Sequence, residues 1–453
     1  MPFKEYRQNQ NFLLPHNVQD YVPKEHLARI IDSVTNKLNL DALYARYSDI
    51  GCHAYHPMMM LKVLFYAYTV GDYSSRLIAH RLNSDLAFMF LAGRQAPDFR
   101  TVNRFRKDNL DLISDFFKQI VRLCSKQGLI SLGTIALDGT GLKANAGKRR
   151  TVEQQVKDLL EKAEAVDQQE DREQGEESVY EVKRVNLTDP DANFMKVDGN
   201  LKPGYNGQVA VDSQKGIIVA AELSDKQDDH DSLAKLLEQT KTNTGRYPVQ
   251  ALADSGFGGI RNLKYLKSVG IVGYIPDRID QGRKRGKVSS FHKSFFEYEA
   301  VNDRYRCPAG EYLSYLQTKH NKKVGTHRIY EGLACGKCVY QKACSRAAKR
   351  RIIRFEGEEL KDEMRERLGS EAGKKKYLAR QGLVERVFGD MKQNFKKREL
   401  WLRGKVKAKG EFLLMCVAYN LRKLRKYAWD LPEKMMGVQE KFLAGTAGSL
   451  SQA

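Results

Sequence analysis

Two short apolar runs, each closed by an aspartate with a glycine close behind, constrain this chain more than any other feature. Thr134-Ile135-Ala136-Leu137 leads into Asp138-Gly139, and Val249-Gln250-Ala251-Leu252-Ala253 leads into Asp254-Ser255-Gly256. Short apolar runs of this length, bounded by glycine, read as strands buried on both faces. Such strands belong to sheets covered by helices, so an α/β fold is expected. The two carboxylates then stand at the ends of buried strands, 116 residues apart in the chain. Parallel strand ends bring such groups together in space. One strand-ending aspartate is usually a turn residue. Two in equivalent places point instead to chemistry.

The rest of the chain supplies the frame. Strands are expected at Gln208–Asp212 and Gly216–Ala221, joined by a hairpin turn at Ser213-Gln214-Lys215, and at Gly270–Pro276. Helices are expected at Ser232–Thr240 and Asn262–Val269. The order β, β, β, α, β, α, β implies a mixed sheet with helices packed on it. Residues 1–130 read as helical: Leu27–Leu40, Pro57–Tyr68 with proline in its first turn, Ser74–Leu82 behind a serine cap, and Pro97–Lys107. In the last of these, Arg100, Arg104 and Lys107 form one basic stripe at i, i+4, i+7. That stripe suits a helical DNA-binding module, and equally a bundle with a salt-bridged face.

Two insertions are expected. Val152, Val156, Leu159, Ala163 and Val166 keep heptad spacing, so Thr151 to about Asp171 reads as a helix, followed by an acidic loop, within an insertion of about 151–200. Residues 277–375 form a basic, cysteine-containing insertion. Cys335 and Cys338 make a C-x2-C pair, with Cys307 and Cys344 outlying. This fits a four-thiolate structural Zn²⁺ site, and also four reduced buried cysteines. A helix then opens near Leu383, with Leu383, Val384, Val387, Phe388 and Met391 as its apolar face. Glu385 and Lys392 lie two turns apart on one side of it. Glu411–Tyr427 is a last helix in the C-terminal region 376–430, and residues 431–453 are expected to be a disordered tail.

Charge narrows the partners. There are 77 Lys+Arg against 56 Asp+Glu, a formal +21, which favours nucleic acid. The charge is segregated: Arg386–Lys426 carries 13 basic and 3 acidic residues, whereas Glu153–Glu181 carries 3 basic and 11 acidic. Lys396, Lys397, Arg398, Arg403 and Lys405 are candidate DNA contacts within the basic run. No apolar run approaches the ~20 residues a bilayer crossing needs, so no membrane partner is expected. The opening Met1-Pro2-Phe3-Lys4-Glu5 reads as no signal peptide, and a cytoplasmic, nucleoid-associated protein is expected. Asp228, His230 and Asp231 cluster in sequence, where solvation is a better reading than ligation.

Asp138, Asp254 and Glu385 together could hold two divalent ions for in-line phosphoryl displacement. Oxygen-only ligands favour Mg²⁺ or Mn²⁺. Glycoside hydrolysis, the rival use of paired carboxylates, suits neither the +21 charge nor a chain with only Trp401 and Trp429.

These residues resemble a known family, the bacterial insertion-sequence transposases of the DDE superfamily. The likeness runs from about residue 10 to 427. It rests on Pro97-Asp98-Phe99-Arg100-Thr101, on Leu137-Asp138-Gly139-Thr140 with Lys143-Ala144-Asn145, and on Gly204-Tyr205-Asn206. Further matches are Ala253-Asp254-Ser255-Gly256-Phe257, Val384-Glu385 with Phe388-Gly389 and Lys392, Leu402-Arg403-Gly404, and Asn420-Leu421. The resemblance implies an RNase H-like core of mixed sheet flanked by helices, in residues 131–276 and 376–430, beside the all-helical N-terminal domain. It implies that Asp138, Asp254 and Glu385 bind the metal ions, with Tyr377, Arg380 and Lys392 around the glutamate. Arg380 precedes Glu385 by five positions where the family signature has four. It implies double-stranded DNA as partner, both the element's terminal inverted repeats and the target, and a homodimer on that DNA. An inactive DNA-binding regulator derived from such an enzyme, and a nuclease that cuts without joining, are the alternatives.

Overall fold

The computed structural model describes residues 17–48, 53–147, 151–153, 184–197, 199–226, 232–277, 289–321, 325–394 and 399–427. Outside them lie the heptad stretch from residue 154 with its acidic loop, Asp228, His230 and Asp231, Lys396, Lys397 and Arg398, and the tail.

Seven helices open the chain: α1 (Leu27–Thr35), α2 (Asp41–Tyr44), α3 (Pro57–Val70), α4 (Ser75–Ser84), α5 (Leu86–Leu91), α6 (Phe99–Asp108) and α7 (Ile113–Lys126). Pro57 starts α3 where its missing N–H costs nothing, and Gly71 ends it at φ 88°. Between them α3 is apolar nearly all round, as a fully buried helix must be. Asp98 caps α6 by accepting the Thr101 N–H at 2.7 Å.

The central sheet follows. Strand β1 (Thr134–Lys143) is twice the expected length. Its neighbour on one side is β5 (Asn200–Asp212), antiparallel along the whole of β1; on the other it is β7 (Gln250–Leu252), parallel. β8 (Val272–Tyr274) continues the sheet parallel to β7. On the far edge of β5 lie β4 (Asn193–Val197) and β6 (Ile218–Ser224), both antiparallel. The β5–β6 hairpin turns where expected, with Gly216 at φ 70°. Gly141 permits the extension of β1: a Cβ there would stand 2.5 Å from the Lys196 carbonyl oxygen. Helices α8 (Ser232–Thr244) and α9 (Ile260–Ser268) connect β6 to β7 and β7 to β8.

Residues 151–153 are not helical. They form β2 (Thr151–Glu153), paired with β3 (Arg184–Asn186). Val152 therefore belongs to a ribbon whose partner lies more than thirty residues away, which helical spacing cannot reveal.

The segment after β8 contains a second sheet, an antiparallel meander of β9 (Glu297–Glu299), β10 (Arg304–Arg306), β11 (Tyr312–Asn321), β12 (Gly325–Gly332) and β13 (Arg351–Phe355). Its core is separate and small: Phe296, Tyr305, Leu313, Tyr330 and Ile352. Between β12 and β13 sits α10 (Gln341–Cys344). Then α11 (Glu358–Gly369) and α12 (Glu371–Gly389) return to the main body, where Arg367 donates to the Gly273 carbonyl at 2.9 Å. The helix expected to open near Leu383 thus begins at Glu371, capped by Ser370, and passes into a π-helical turn at Asp390–Asn394. The final helix α13 (Lys405–Tyr427) packs on α1, α3, α7 and β6. It joins the N-terminal helices and the sheet into one continuous core. Asn420 fixes it there: its side chain accepts the Ile218 N–H at 3.0 Å and donates to the Ile218 carbonyl at 2.8 Å.

Candidate active site

Asp138 lies within β1, two positions past the last residue paired with β7. It is mid-strand on its β5 side, where Asp138 faces Val209. Its Oδ1 accepts the Gly139 N–H at 2.9 Å. Asp254 follows β7 and caps the short turn Ser255–Phe257, its Oδ1 accepting the Gly256 N–H at 2.8 Å. The β1–β7 register pairs Thr134 with Gln250 and Ala136 with Leu252. That offset is the one separating Asp138 from Asp254. The two carboxylates therefore leave adjacent strands at matching positions, with strand axes about 4.8 Å apart.

Helix α12 crosses these strand ends, touching β1, β7 and β8. Arg380 approaches Asp138 Oδ2 at 3.3 Å and donates to the Leu137 carbonyl at 3.5 Å. Its guanidinium also lies 5.7 Å from the Tyr377 ring centre. Burial pushes the Tyr377 phenol above its ordinary value; Arg380 opposes this, and the Asp254 and Asp138 carboxylates add to it. Tyr377 is thus a neutral O–H donor at neutral pH, beside both aspartates. Lys376, which sequence reasoning passed over, anchors the helix by donating to Gln250 Oε1 at 3.1 Å and to the Tyr274 hydroxyl at 3.4 Å. No apolar period marks that lysine. Only the folded sheet gives it partners.

Glu385 is placed differently. It is exposed, and its Oε1 accepts a bond from Gln381 Nε2 at 2.8 Å. Five residues beyond Arg380 it stands about 7.5 Å further along the helix and about 140° around it. Among the described residues no group of three or more His, Cys, Asp or Glu stands in an arrangement able to hold a metal ion. The structure thus brings together Asp138, Asp254, Tyr377 and Arg380, and leaves Glu385 outside that group. Lys392 lies in the π-helical turn. The wider turn changes its angular position, so the seven-residue spacing does not stack it above Glu385 as an unbroken α-helix would.

A second feature begins where β1 ends. Arg100, Arg104 and Lys107 are exposed on α6 and line an open groove of about 820 Å³ with Arg76, Phe99 and Trp401. Arg76 and Arg100 flank the Phe99 ring at 5.3 and 5.7 Å. Arg106 turns inward instead, donating to the Tyr73 carbonyl at 2.7 Å. The groove wall bearing Trp401 is tied to β1: Leu400 N–H donates to the Lys143 carbonyl at 2.8 Å, and Asn145 Nδ2 to the Trp401 carbonyl at 2.7 Å. Lys143 is also ion-paired with Glu399. Buried Glu411 accepts the Trp401 and Leu402 N–H groups, the shorter contact to each being 2.9 Å. Arg403 donates to the Asn145 carbonyl at 3.1 Å, and Lys405 pairs with Asp225 at 2.6 Å. Both therefore serve this loop's geometry. The sequence did not join Trp401, Phe99 and Arg76 to the basic stripe, because the groove brings together segments some 300 residues apart.

Cys307, Cys335, Cys338 and Cys344 are all reduced and half-buried, and line one small cavity in the second sheet's region.

Two segments of the chain match known families. Residues 16–108 match a transposase domain family, DUF772, and residues 306–425 match the transposase DDE domain. Both are transposase families, and together the matches support an insertion-sequence DDE transposase. No curated protein matches it. Asp138 and Asp254 lie between the two matched segments, while the four cysteines, β11–β13, α12 and most of α13 lie within the second. Transposases act on DNA, and DDE enzymes generally use divalent metal ions. Among the described residues no helix is long and apolar enough to cross a membrane.

Proposed function

We propose that this transposase hydrolyses DNA at the ends of its own mobile element and joins the freed 3′-hydroxyls to target DNA. The observation carrying the proposal is the register that sets Asp138 beside Asp254 beneath Arg380 and Tyr377. An RNase H-like core is supported by the strand order β6-β5-β1-β7-β8, with β5 alone antiparallel to its neighbours β1 and β6 and the last two strands parallel to β1.

The donor set fits a hard dication. Asp138 and Asp254 offer oxygens only, and Glu385, on the same helix as Arg380, is the proposed third ligand. Two Mg²⁺ or Mn²⁺ ions would supply activation of the attacking oxygen and stabilisation of the leaving one. Arg380 meanwhile offsets the Asp138 charge and orients that carboxylate. Tyr377 offers a proton-bearing donor toward the strand ends. Arg100, Arg104 and Lys107 would hold phosphates in the groove, with Lys392, Lys396, Lys397, Arg398, Arg403 and Lys405 as further proposed contacts. Pairing two ends implies a homodimer on DNA. The outward position of Glu385 favours one second reading, a DNA-binding regulator without catalysis.

The test is a supercoiled plasmid carrying the gene with its flanks, incubated with the protein and Mg²⁺, Mn²⁺ or EDTA. Metal-dependent cuts at the element ends, followed by joined products, are expected. Cuts without joining would indicate a nuclease, and end binding without cuts the regulator. Replacing Arg100, Arg104 and Lys107 together by alanine should weaken DNA binding across all sequences. The slope of log affinity against log salt should fall by about 1 for each phosphate contact removed. An unchanged slope would place the DNA elsewhere.

A further inference from the structure

Among the described residues the meander β9–β13 has a core cluster of five buried side chains, little for a sheet of this size to depend on. Beside that core is a small, partly open cavity of about 30 Å³, room for one ion or one water. Four thiols line it, those of Cys307, Cys335, Cys338 and Cys344, arriving from three separate segments. Two come from tight turns. Gly310 N–H donates to the Cys307 carbonyl at 2.9 Å, with Gly310 at φ 91°, and Cys338 N–H donates to the Cys335 carbonyl at 3.2 Å. The other described cysteines, Cys124 and Cys416, are fully buried in the main apolar core and behave as small hydrophobes.

We propose that this cavity is a structural tetrathiolate site for one Zn²⁺, which staples the β10–β11 turn to the segment between β12 and β13. It stands independently of the phosphoryl-transfer reading. Several neighbours suit it. The Arg350 N–H approaches Cys335 Sγ at 3.5 Å, an orientation that stabilises a thiolate. Gly332 leaves space for that sulfur: a Cβ there would lie 2.5 Å from it. Arg350, which lines the cavity, would offset part of the double negative charge of a zinc held by four thiolates.

Among the described residues no group of three or more His, Cys, Asp or Glu already stands in a metal-holding arrangement, so entry of the ion would draw the four sulfurs inward. Binding is then an exchange in which one Zn²⁺ enters, four S–H protons leave to solvent, and no electrons move.

The experiment uses the full chain purified under reducing conditions without chelators. Zinc released by a thiol-blocking mercurial should amount to one per chain. Cobalt(II) added to the metal-stripped chain should give the intense sulfur-to-metal charge-transfer bands of a tetrathiolate. The double variant Cys335→Ser, Cys338→Ser should lose both signals, and Asp138→Asn should keep both. Should the double variant be insoluble, the cobalt spectrum of the unaltered chain decides. No stoichiometric zinc together with no thiolate bands would overturn the site, as would zinc retained by the double variant.

Discussion

Replacing Asp138 by asparagine is expected to lower metal-dependent DNA cleavage by about 10²–10³-fold or more, with DNA binding kept. The amide has the shape of the carboxylate and can still accept the Gly139 N–H that Asp138 accepts at 2.9 Å. What it lacks is the charge facing Arg380 and adjoining Asp254. The fold should tolerate the change, because losing the attraction to Arg380 is offset by relief of repulsion between neighbouring carboxylates. On the proposed reading binding rests on cations of the α6 groove, beyond the far end of β1, which the substitution does not touch. Cleavage of end-bearing DNA and salt-dependent binding should be measured on the same preparation. Undiminished cleavage would remove Asp138 from the site. Equal loss of binding and cleavage would mean the variant had disturbed the fold.

How much of this was legible depended on the reach of each interaction. The strands around Asp138 and Asp254 were readable because burial on both faces leaves an apolar run in the sequence. Their equivalence was readable too, and the register between β1 and β7 carries it. The extension of β1 through Gly139-Thr140-Gly141 was not, since no apolar signal marks it. That stretch is held by β5, and β4 closes over Gly141. The start of α12 was hidden for a similar reason. Ser370 is a good cap, but Gly373, Lys374 and Lys375 interrupt any apolar period before Tyr377. The second sheet was missed because charge and cysteines dominate its sequence while only five buried side chains declare its core. The outward turn of Glu385 is a matter of helix phase, which its spacing from Lys392 alone does not fix.

The second large effect concerns stability. Glu411→Ala is expected to lower the free energy of unfolding by about 3–5 kcal/mol. Glu411 is fully buried at the first turns of α13, and its carboxylate accepts two backbone N–H groups, those of Trp401 and Leu402. Alanine would strip both donors of that acceptor, at about 1–3 kcal/mol each, and leave a cavity where the buried side chain stood. Glutamine separates the causes. Its carbonyl oxygen can still accept both bonds, while its amide N–H₂ brings two donors into a place built for none. The glutamine variant should therefore fall between alanine and the native chain. The loop it supports carries Trp401 into the groove with Arg100, Arg104 and Lys107, so a second loss is expected in DNA affinity. Urea unfolding midpoints for the three chains, with DNA titrations below the transition, test both effects. If glutamine proved as damaging as alanine, the charge of Glu411 would matter more than its geometry. If both variants unfolded like the native chain, the Trp401 loop would be held by its contacts to Lys143 and Asn145 and by the Gly404 N–H, which donates to Asp189 at 3.1 Å, and Glu411 would be a bystander in the core.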